Sequence, residues 1–319
     1  MEKGITIIIC TYNGSLRIPE TLAHVAGQQF SDGTKWEVIF ADNASTDNSS
    51  FVAATAWEKF NSTATNFTLI KENTPGKIYA LHQAIAIAKY EYFIICDDDN
   101  WLDPYYAQTM CKTLDSDPLI GAVGGQSTAV TNGKALPEWF PEAASDYAVG
   151  KQSAATGDIT KREYLWGAGL GSRTALYKKM YHHFPSLLVG RKGAALTAGE
   201  DSEYCQRLIL AGYKLYYNSD LVFRHFIPDA RLERAYRDGQ LNGFQASDAI
   251  LDKYRMAIRL RDKYKGASFA KSVAIVNTFF KSVFSKKEKY RNQLQLLLKK
   301  DNGHDQVISA IRKFMGSNA

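Results

Sequence analysis

The 319-residue sequence has few cysteines and lacks a long apolar run. Its four cysteines, Cys10, Cys96, Cys111 and Cys205, lie far apart, which excludes a zinc site built on paired cysteines. The absence of an apolar stretch of about 18 residues excludes a membrane-spanning helix. The N-terminus lacks the basic flank and cleavage site of a secretory signal. We therefore expect a globular protein of the cytoplasm.

Charge is distributed unevenly along the chain. The net charge is +6, but residues 251–319 hold 16 lysines and arginines against 5 acidic residues, and residues 1–250 hold 23 against 28. A basic C-terminal region thus follows a mildly acidic body, which points to an anionic partner for the basic part. The acidic body contradicts a continuous basic footprint, so we expect no nucleic-acid partner.

Short apolar runs alternate with amphipathic segments over the first 125 residues. The runs that predict strands are Ile5–Cys10, Trp36–Ala41, Phe67–Ile70, Tyr92–Cys96 and Ala122–Val123. The segments that predict helices are Arg17–Gln29, Ser49–Phe60, Lys77–Lys89 and Pro104–Leu114. This alternation predicts an α/β fold in which a mostly parallel sheet carries helices on both faces. Ligands of such sheets bind beyond the carboxyl ends of the strands.

The second half of the chain has a weaker pattern. Residues 125–165 are rich in Gly, Ser and Thr, and predict a long excursion with short strands. The elements predicted after it are Tyr164–Leu170, a helix at Arg173–His182, a helix at Asp201–Ala211, and strands at Lys214–Tyr217 and Leu221–Phe226. From about residue 230 onward the pattern predicts helices.

Three consecutive aspartates follow the apolar run Tyr92–Cys96. In an extended strand, Asp97 and Asp99 point to one side and Asp98 to the other. Adjacent carboxylates repel one another unless a cation or hydrogen-bond donors offset their charge. Mg²⁺ and Mn²⁺ prefer oxygen ligands, so the motif predicts a site for a divalent cation. The alternative is a solvated acidic turn before the next helix.

Two later groups of residues are also candidates for a catalytic or metal-binding role. Glu200 and Asp201 open a predicted helix, where they either cap its N-terminus or present a general base to an acceptor hydroxyl. His225 follows an apolar stretch and is either a metal ligand or a structural side chain.

The order of these motifs resembles the family 2 glycosyltransferases over residues 4–230. The matching segments are Cys10-Thr11-Tyr12-Asn13, Ala41 to Asp47, Asp97-Asp98-Asp99, Gly199-Glu200-Asp201 and His225. The resemblance implies the GT-A fold, which is a Rossmann-like nucleotide-binding domain with a mostly parallel mixed sheet flanked by helices. The implied division is a catalytic domain over 1–230 (nucleotide-binding half 1–125, acceptor half 126–230) and a helical basic region over 231–319. The implied reaction is an inverting transfer of a sugar from a nucleotide-diphosphate donor.

The resemblance, together with the position of each side chain, assigns roles to residues. Those assigned to the donor nucleotide are Thr11, Tyr12, Asn13, Asp42, Lys77, Asp97 and Asp98. Asp99 and His225 are assigned to a divalent cation, Mn²⁺ or Mg²⁺, and Asp201 is the implied catalytic base. Those assigned to the acceptor side are Trp166, Gly167 and Glu200. In the family the acid at Asp42 contacts the base, which favours a uridine nucleotide.

The sequence departs from the commoner family pattern in two places. Ala80-Leu81-His82 stands where many members have an Arg-Asn or similar pair, and Asn100 stands where a fourth acid is frequent. At these two positions the family pattern therefore does not assign the groups that hold the ribose and the diphosphate.

Apolar residues of the basic region recur with helical spacing. They are Phe269, Val273, Val276, Phe280 and Phe284, and lysines follow at Lys286, Lys287, Lys289, Lys299 and Lys300. Such a helix either lies in an anionic membrane interface or packs its apolar stripe onto the catalytic domain. The first alternative predicts a peripheral protein on the cytosolic face of the inner membrane.

Two other functions fit parts of the sequence. A sugar nucleotidyltransferase would need a basic, Gly-rich phosphate loop after the first strand, which the residues from Thr11 to Gly14 do not supply. The second of these functions is that of a non-catalytic scaffold that binds a nucleotide sugar. The presence of Asp97, Asp99 and Asp201 argues against it. The leading hypothesis is transfer to a glycan or lipid-linked acceptor in surface polysaccharide synthesis.

Overall fold

The computed structural model describes residues 1–31, 33–60, 66–190, 198–285, 287–298 and 305–317. The strands in these ranges are β1 (Glu2–Thr11), β2 (Trp36–Asn43), β3 (Asn66–Glu72), β4 (Tyr90–Asp97), β5 (Asn100–Leu102), β6 (Ile120–Val130), β7 (Gly157–Asp158), β8 (Gly171–Arg173) and β9 (Lys214–Phe226). The helices up to the end of the sheet are α1 (Ile18–Ala26), α2 (Ser49–Lys59), α3 (Lys77–Ile87), α4 (Tyr106–Ser116), α5 (Phe140–Ala143), α6 (Thr174–Tyr181) and α7 (Glu200–Leu210). The C-terminal helices are α8 (Arg234–Tyr264), α9 (Ser268–Phe284), α10 (Glu288–Leu297) and α11 (Gln306–Ser317).

The strands form one mixed sheet in the order β3-β2-β1-β4-β8-β6-β9-β5, with β7 paired to β9. The pairs β1–β2, β1–β4, β2–β3 and β6–β9 are parallel, whereas β8 runs antiparallel to both β4 and β6. This is the predicted α/β architecture. Because β1, β2 and β4 are parallel, their carboxyl ends meet at one edge of the sheet.

Both faces of the sheet are covered, as the apolar runs predict. In β1, Ile7 and Ile9 pack toward α1, α2 and α4, whereas Ile8 packs toward α3, α6 and α7. The second of these layers also contains residues of α8, α10 and α11. The C-terminal helices therefore share a core with the sheet.

Three elements of the structure differ from prediction. Tyr164–Leu170 is irregular, and the strand β8 begins only at Gly171, because the chain turns at Gly169 with φ of +72°. The two strands predicted at Lys214–Tyr217 and Leu221–Phe226 are one continuous strand, β9. The short strand β5 was not predicted, and it pairs antiparallel with β9.

Candidate active site

A cavity of about 530 Å³ opens at the carboxyl edge of β1 and β4. Its lining comes from the turns after these strands, from the start of α7, from the end of β9 and from α8. The predicted site residues that line it are Thr11, Tyr12, Lys77, Asp97, Asp98, Asp99, Trp166, Gly167, Glu200, Asp201 and His225. The structure therefore brings the motifs of the first and second halves together in one cavity.

The three aspartates at the end of β4 do not follow simple strand alternation. β4 ends at Asp97, and Asp98 and Asp99 form a turn before β5. Asp97 forms an ion pair with the ammonium of Lys77. Burial by itself lowers the pKa of Lys77, but the carboxylates of Asp97 and Glu200 outweigh it and raise that pKa. Lys77 is therefore a fixed positive charge at the cavity wall.

Asp98 has a partner that the sequence did not reveal. Its carboxylate accepts hydrogen bonds from Arg17 Nε at 3.0 Å and Nη2 at 2.9 Å, and another from the hydroxyl of Thr11. Burial and the charge of Asp99 raise the pKa of Asp98, which Arg17 only partly offsets. The fork of Arg17 thus holds the turn after β4 against the start of α1.

Asp99 is the predicted metal ligand, and its surroundings fit that role. It is buried, with Oδ1 3.3 Å from His225 Nε2 and Oδ2 2.8 Å from Arg231 Nη1. Burial opposes ionisation, but the charge of Arg231 and the imidazole of His225 hold the pKa of Asp99 well below its usual range. The site is thus built to keep a carboxylate charged beside a histidine.

The donor set for a divalent cation consists of two side chains. Within the described residues, no group of three or more His, Cys, Asp or Glu side chains is placed to hold a metal ion. His225 Nδ1 is buried without a hydrogen-bond partner, and Nε2 faces Asp99. One carboxylate and one imidazole suit Mn²⁺ or Mg²⁺ when phosphate oxygens of a donor supply further ligands. The residues therefore fit a cation that binds together with a diphosphate.

The loops that follow β1 and β2 are joined by side-chain hydrogen bonds. Asn13 Oδ1 accepts from the backbone N–H of Thr46 at 2.8 Å, and the N–H of Asn13 donates to Ser45 Oγ at 3.0 Å. Asp42 is buried beside this loop and accepts from the N–H of Ser45 at 3.0 Å and from Ser50 Oγ at 2.5 Å. Asn13 and Asp42 both lie outside the cavity lining. Their contacts with a nucleotide stay predictions.

Asp201 lies in the first turn of α7, and it lines the same cavity as the aspartates that follow β4. Its Oδ2 accepts from the N–H of Gly167 at 2.8 Å and its Oδ1 from the N–H of Ser202 at 2.7 Å. Burial raises the pKa of Asp201, while those two N–H groups and the charge of Lys77 lower it. A carboxylate with a raised pKa is a stronger proton acceptor than an exposed one, so the geometry suits a general base.

The residues assigned to the acceptor, Trp166, Gly167 and Glu200, line the cavity together with Asp201. Gly167 fixes the orientation of its carboxylate, as described, and the N–H of Trp166 donates to Gln152 Oε1 at 2.9 Å. Arg162 stacks over Tyr164 at 4.3 Å and over Trp166 at 5.5 Å. Tyr164 and Trp166 line the same cavity as the candidate base. The role of these residues toward an acceptor stays a prediction.

Helix α8 lines the same cavity, although the sequence placed it in a separate C-terminal region. Its lining residues are Tyr236, Gln240, Phe244, Ser247, Asp248, Leu251 and Arg255. Together with Arg17 and Arg231, they are among the lining residues that sequence reasoning missed. The apolar spacing of α8 predicts a packed face, but the sequence contains no signal for what that face contacts.

The two departures from the family pattern have structural explanations. Asn100 is buried, and its Oδ1 accepts from the N–H of Asp97 at 3.0 Å while its Nδ2 donates to Asp99 Oδ1 at 3.2 Å. It thus closes the acidic turn without adding charge. His82 lies in the core between α3 and α6, with its ring centroid 4.8 Å from that of Tyr181, and burial lowers its pKa to about 4. His82 is thus a packing residue in this chain.

Known proteins resemble this chain in sequence and in fold. Residues 6–156 match the family model described as Glycosyl transferase family 2. The poly-beta-1,6-N-acetyl-D-glucosamine synthase of Staphylococcus aureus (strain COL) is 33% identical over 126 residues, which cover 39% of this chain and 28% of that protein. Glycosyltransferase GlyG of Streptococcus pneumoniae serotype 4 is 29% identical over 126 residues, which cover 38% and 39%. The chain thus spans well under half the length of these relatives.

Solved structures resemble the whole described fold. S. aureus TarS 1-349 in complex with UDP-GlcNAc superposes with a TM-score of 0.52 at 18% identity, covering 99% of this chain and 84% of that one. The mannosyltransferase PcManGT from Pyrobaculum calidifontis, in complex with GDP-Man and Mn²⁺, gives a TM-score of 0.53 at 18% identity, covering 100% and 86%. The mixed α/β fold is therefore the GT-A fold of these glycosyltransferase structures. Residues 6–156, which make up just under half of the chain, are thus similar to glycosyl transferase family 2.

Proposed function

We propose that the protein transfers a sugar, with inversion, from a nucleotide-diphosphate donor to a glycan or lipid-linked acceptor. A UDP-sugar is the favoured donor, and surface polysaccharide synthesis at the cytoplasmic face of an anionic membrane is the proposed setting. The observation that carries the proposal is one cavity that contains the charged carboxylate of Asp99 beside His225, and Asp201, a carboxylate of raised pKa. The similarity to enzymes named for poly-N-acetylglucosamine synthesis supports it.

In the proposed reaction, the donor end of the cavity binds the diphosphate. Lys77 supplies a fixed positive charge to the phosphates, and Asp99 and His225 hold the divalent cation. The cation, when bound, acts as a Lewis acid that stabilises the charge of the departing nucleotide diphosphate. Binding of the phosphates beside Lys77 fixes the sugar within reach of the aromatic, acceptor end.

The acceptor end performs the proton transfer. Asp201 accepts the proton of an acceptor hydroxyl while the oxygen of that hydroxyl bonds to the anomeric carbon. The bond from that carbon to the phosphate oxygen breaks, and the nucleotide diphosphate leaves with the electron pair. The N–H groups of Gly167 and Ser202 hold the carboxylate of Asp201 in one orientation for this step. No covalent enzyme intermediate is needed in such a single displacement.

Replacement of Asp201 by asparagine tests the proposal. The side chain keeps its shape but no longer accepts a proton, so we expect turnover to fall by about 10² to 10⁴. Binding of UDP with Mn²⁺, measured as a shift in thermal unfolding, should persist. Glu200→Gln is the matched control, and its loss of turnover should be much smaller. Equal losses for both variants, or an active Asp201→Asn protein, would remove Asp201 from the mechanism.

The donor class is tested by thermal unfolding with UDP, GDP, dTDP or CDP, each with and without Mn²⁺. A ligand at about 100 times its dissociation constant adds roughly 2.7 kcal/mol to the free energy of unfolding, which raises Tm by a few degrees. We expect the largest shift for UDP with Mn²⁺. No shift with any nucleotide would contradict a donor site in this cavity.

A further inference from the structure

Helix α9 exposes an apolar face to solvent. The exposed residues are Val273 (44%), Val276 (54%), Phe279 (51%), Phe280 (53%), Val283 (52%) and Phe284 (79%). A helix turns by about 100° per residue, so these six side chains lie within one arc of its surface. The rings of Phe280 and Phe284 stack with centroids 6.3 Å apart. The face is therefore a continuous apolar strip.

The opposite face of α9 attaches the helix to the rest of the protein. Thr278 and Ser282 are buried, and Ala274 and Ile275 pack against the main core cluster. The contacts are with α10 and α8. The apolar stripe that the sequence offered for packing onto the catalytic domain thus faces outward, and smaller residues make the packing contacts. Phe269, which belongs to the predicted stripe, has a side chain outside the described residues.

The charge around this strip has one sign. Between Asp262 and Glu288 the sequence contains no acidic residue, and it contains six lysines. Lys281 lies beside the strip on α9, Lys271 lies near the start of the same helix, and Lys287 and Lys289 follow at the start of α10. Lys286, Lys299 and Lys300 lie outside the described residues. Phenylalanines and lysines on one helix match the acyl and headgroup layers of an anionic bilayer.

We infer that α9 docks the protein on an anionic membrane, with its apolar strip in the interface and its lysines on the headgroups. Within the described residues no helix is both long and apolar enough to cross a bilayer, so the strip would lie in the plane of the surface. A helix that lies in the interface is attached reversibly. This inference does not rest on the transfer reaction, because α9 contributes no residue to the cavity lining.

Flotation with vesicles tests the inference on the full chain. We expect the protein to float with vesicles of phosphatidylglycerol and phosphatidylcholine, and to remain behind with phosphatidylcholine alone. The triple variant Val276→Ser, Phe280→Ser, Phe284→Ser should lower the bound fraction at least about tenfold. Its matched control is Phe51→Ser, because Phe51 is 72% exposed on α2, and this variant should float like the unchanged protein.

Charge is tested separately. The double variant Lys281→Glu, Lys287→Glu should lower binding at least about tenfold at low salt, and Lys112→Glu on α4 should not. Absence of flotation with anionic vesicles at low salt would overturn the inference. A dimer in solution that the triple variant dissociates, without vesicle binding, would also overturn it and assign the strip to a second copy. A protein that floats but gives no nucleotide-dependent shift would leave the docking intact and remove the proposed function.

Discussion

At the scale of single residues, Arg231 is the side chain on which the charge of Asp99 depends. The two groups lie 2.8 Å apart, and both are largely buried. Removing one partner of a buried ion pair leaves the other charge without compensation. Arg231 contacts Oδ2 of Asp99, whereas His225 faces Oδ1. It thus offsets the carboxylate in the protein before any cation binds.

Arg231→Gln should lower the free energy of unfolding by about 3 kcal/mol, because Asp99 stays buried without its guanidinium. Mn²⁺ replaces part of that positive charge, so it should raise Tm more in the variant than in the unchanged protein. Thermal unfolding with and without Mn²⁺ measures both effects. Arg224→Gln is the control, since Arg224 is exposed on β9, which ends shortly before Arg231, and its loss should cost less than about 1 kcal/mol. Similar losses for the two variants would contradict the role given to Arg231.

The pKa of Asp201 sets the acid side of the pH dependence. Because burial raises that pKa, the base takes up a proton, and transfer is lost, at a higher pH than an exposed aspartate would give. Lys77 lowers the pKa of Asp201, so Lys77→Gln should move the acid limb of kcat to higher pH. Lys71→Gln, an exposed lysine of β3, should leave the limb in place. A limb that stays fixed in Lys77→Gln would show that another group titrates.

At the scale of elements, Asn43 joins the loops that follow β2 and β3. Its Oδ1 accepts from the N–H of Gly76 at 2.8 Å, and its Nδ2 donates to the carbonyl of Thr74 at 2.7 Å. Asn43 itself is buried. The start of α3, and with it Lys77, is thus fixed to the end of β2.

Asn43→Ala should lower the free energy of unfolding by about 1 to 3 kcal/mol, because the buried N–H of Gly76 loses its acceptor and the carbonyl of Thr74 loses its donor. It should also weaken UDP binding, since Lys77 is no longer held in place. Thermal unfolding with and without UDP and Mn²⁺ reports both. Asn48→Ala is the control, because Asn48 precedes α2 without a side-chain capping bond. Unchanged UDP affinity in Asn43→Ala would mean that Lys77 is held by other contacts.

The elements of the nucleotide-binding half could be predicted because their strands are buried apolar runs. The predicted run Tyr92–Cys96, for example, lies within β4. The prediction failed where tertiary contacts outweigh local signals. The residues from Asn218 to Asp220 have the composition of a turn, yet β9 continues through them. There the ladder with β6 shifts register between Gly124 and Gln126, and Gln126 Nε2 donates to the carbonyl of Ser219 at 2.6 Å.

The candidate site was predictable to a similar degree. The family resemblance grouped Asp97, Asp99, Asp201 and His225, and all four line one cavity. The shared edge of parallel strands explains this for the aspartates that follow β4. The pairing of Asp98 with Arg17 was not predictable, since 81 residues separate them and neither has a local pattern that names the other. Charge compensation in this site depends on such distant pairs.

At the scale of the whole molecule, the C-terminal helices are continuous with the catalytic core. Tyr254 of α8 accepts from Arg207 Nε at 3.1 Å and donates to Glu203 Oε1 at 2.8 Å, which fixes α8 to α7. Ile308 and Ile311 of α11 are fully buried in the same cluster. The predicted boundary at residue 230 therefore coincides with a change of secondary structure, while the core extends across it.

Phe314 tests this continuity. It is 1% exposed on α11, and its ring meets that of Phe184 edge to face, with centroids 5.3 Å apart. Phe314→Ala should lower the free energy of unfolding by about 3 to 5 kcal/mol, through the lost contacts and the cavity left behind. Phe284→Ala, at 79% exposure on α9, should change it by less than about 0.5 kcal/mol. Unfolding in urea, followed both by circular dichroism and by loss of UDP binding, measures the two variants.

Circular dichroism and loss of UDP binding together distinguish C-terminal helices that share the catalytic core from helices that fold by themselves. If α11 belongs to the catalytic core, Phe314→Ala moves both transitions to lower urea by the same amount, because Phe314 also packs over the guanidinium of Arg207 at 5.5 Å. If the C-terminal helices fold by themselves, the loss of UDP binding keeps its midpoint while the helical signal changes early. The first result follows from the buried contacts of α11, since a cavity at Phe314 removes support from α7 and thereby from the turn that holds Asp201.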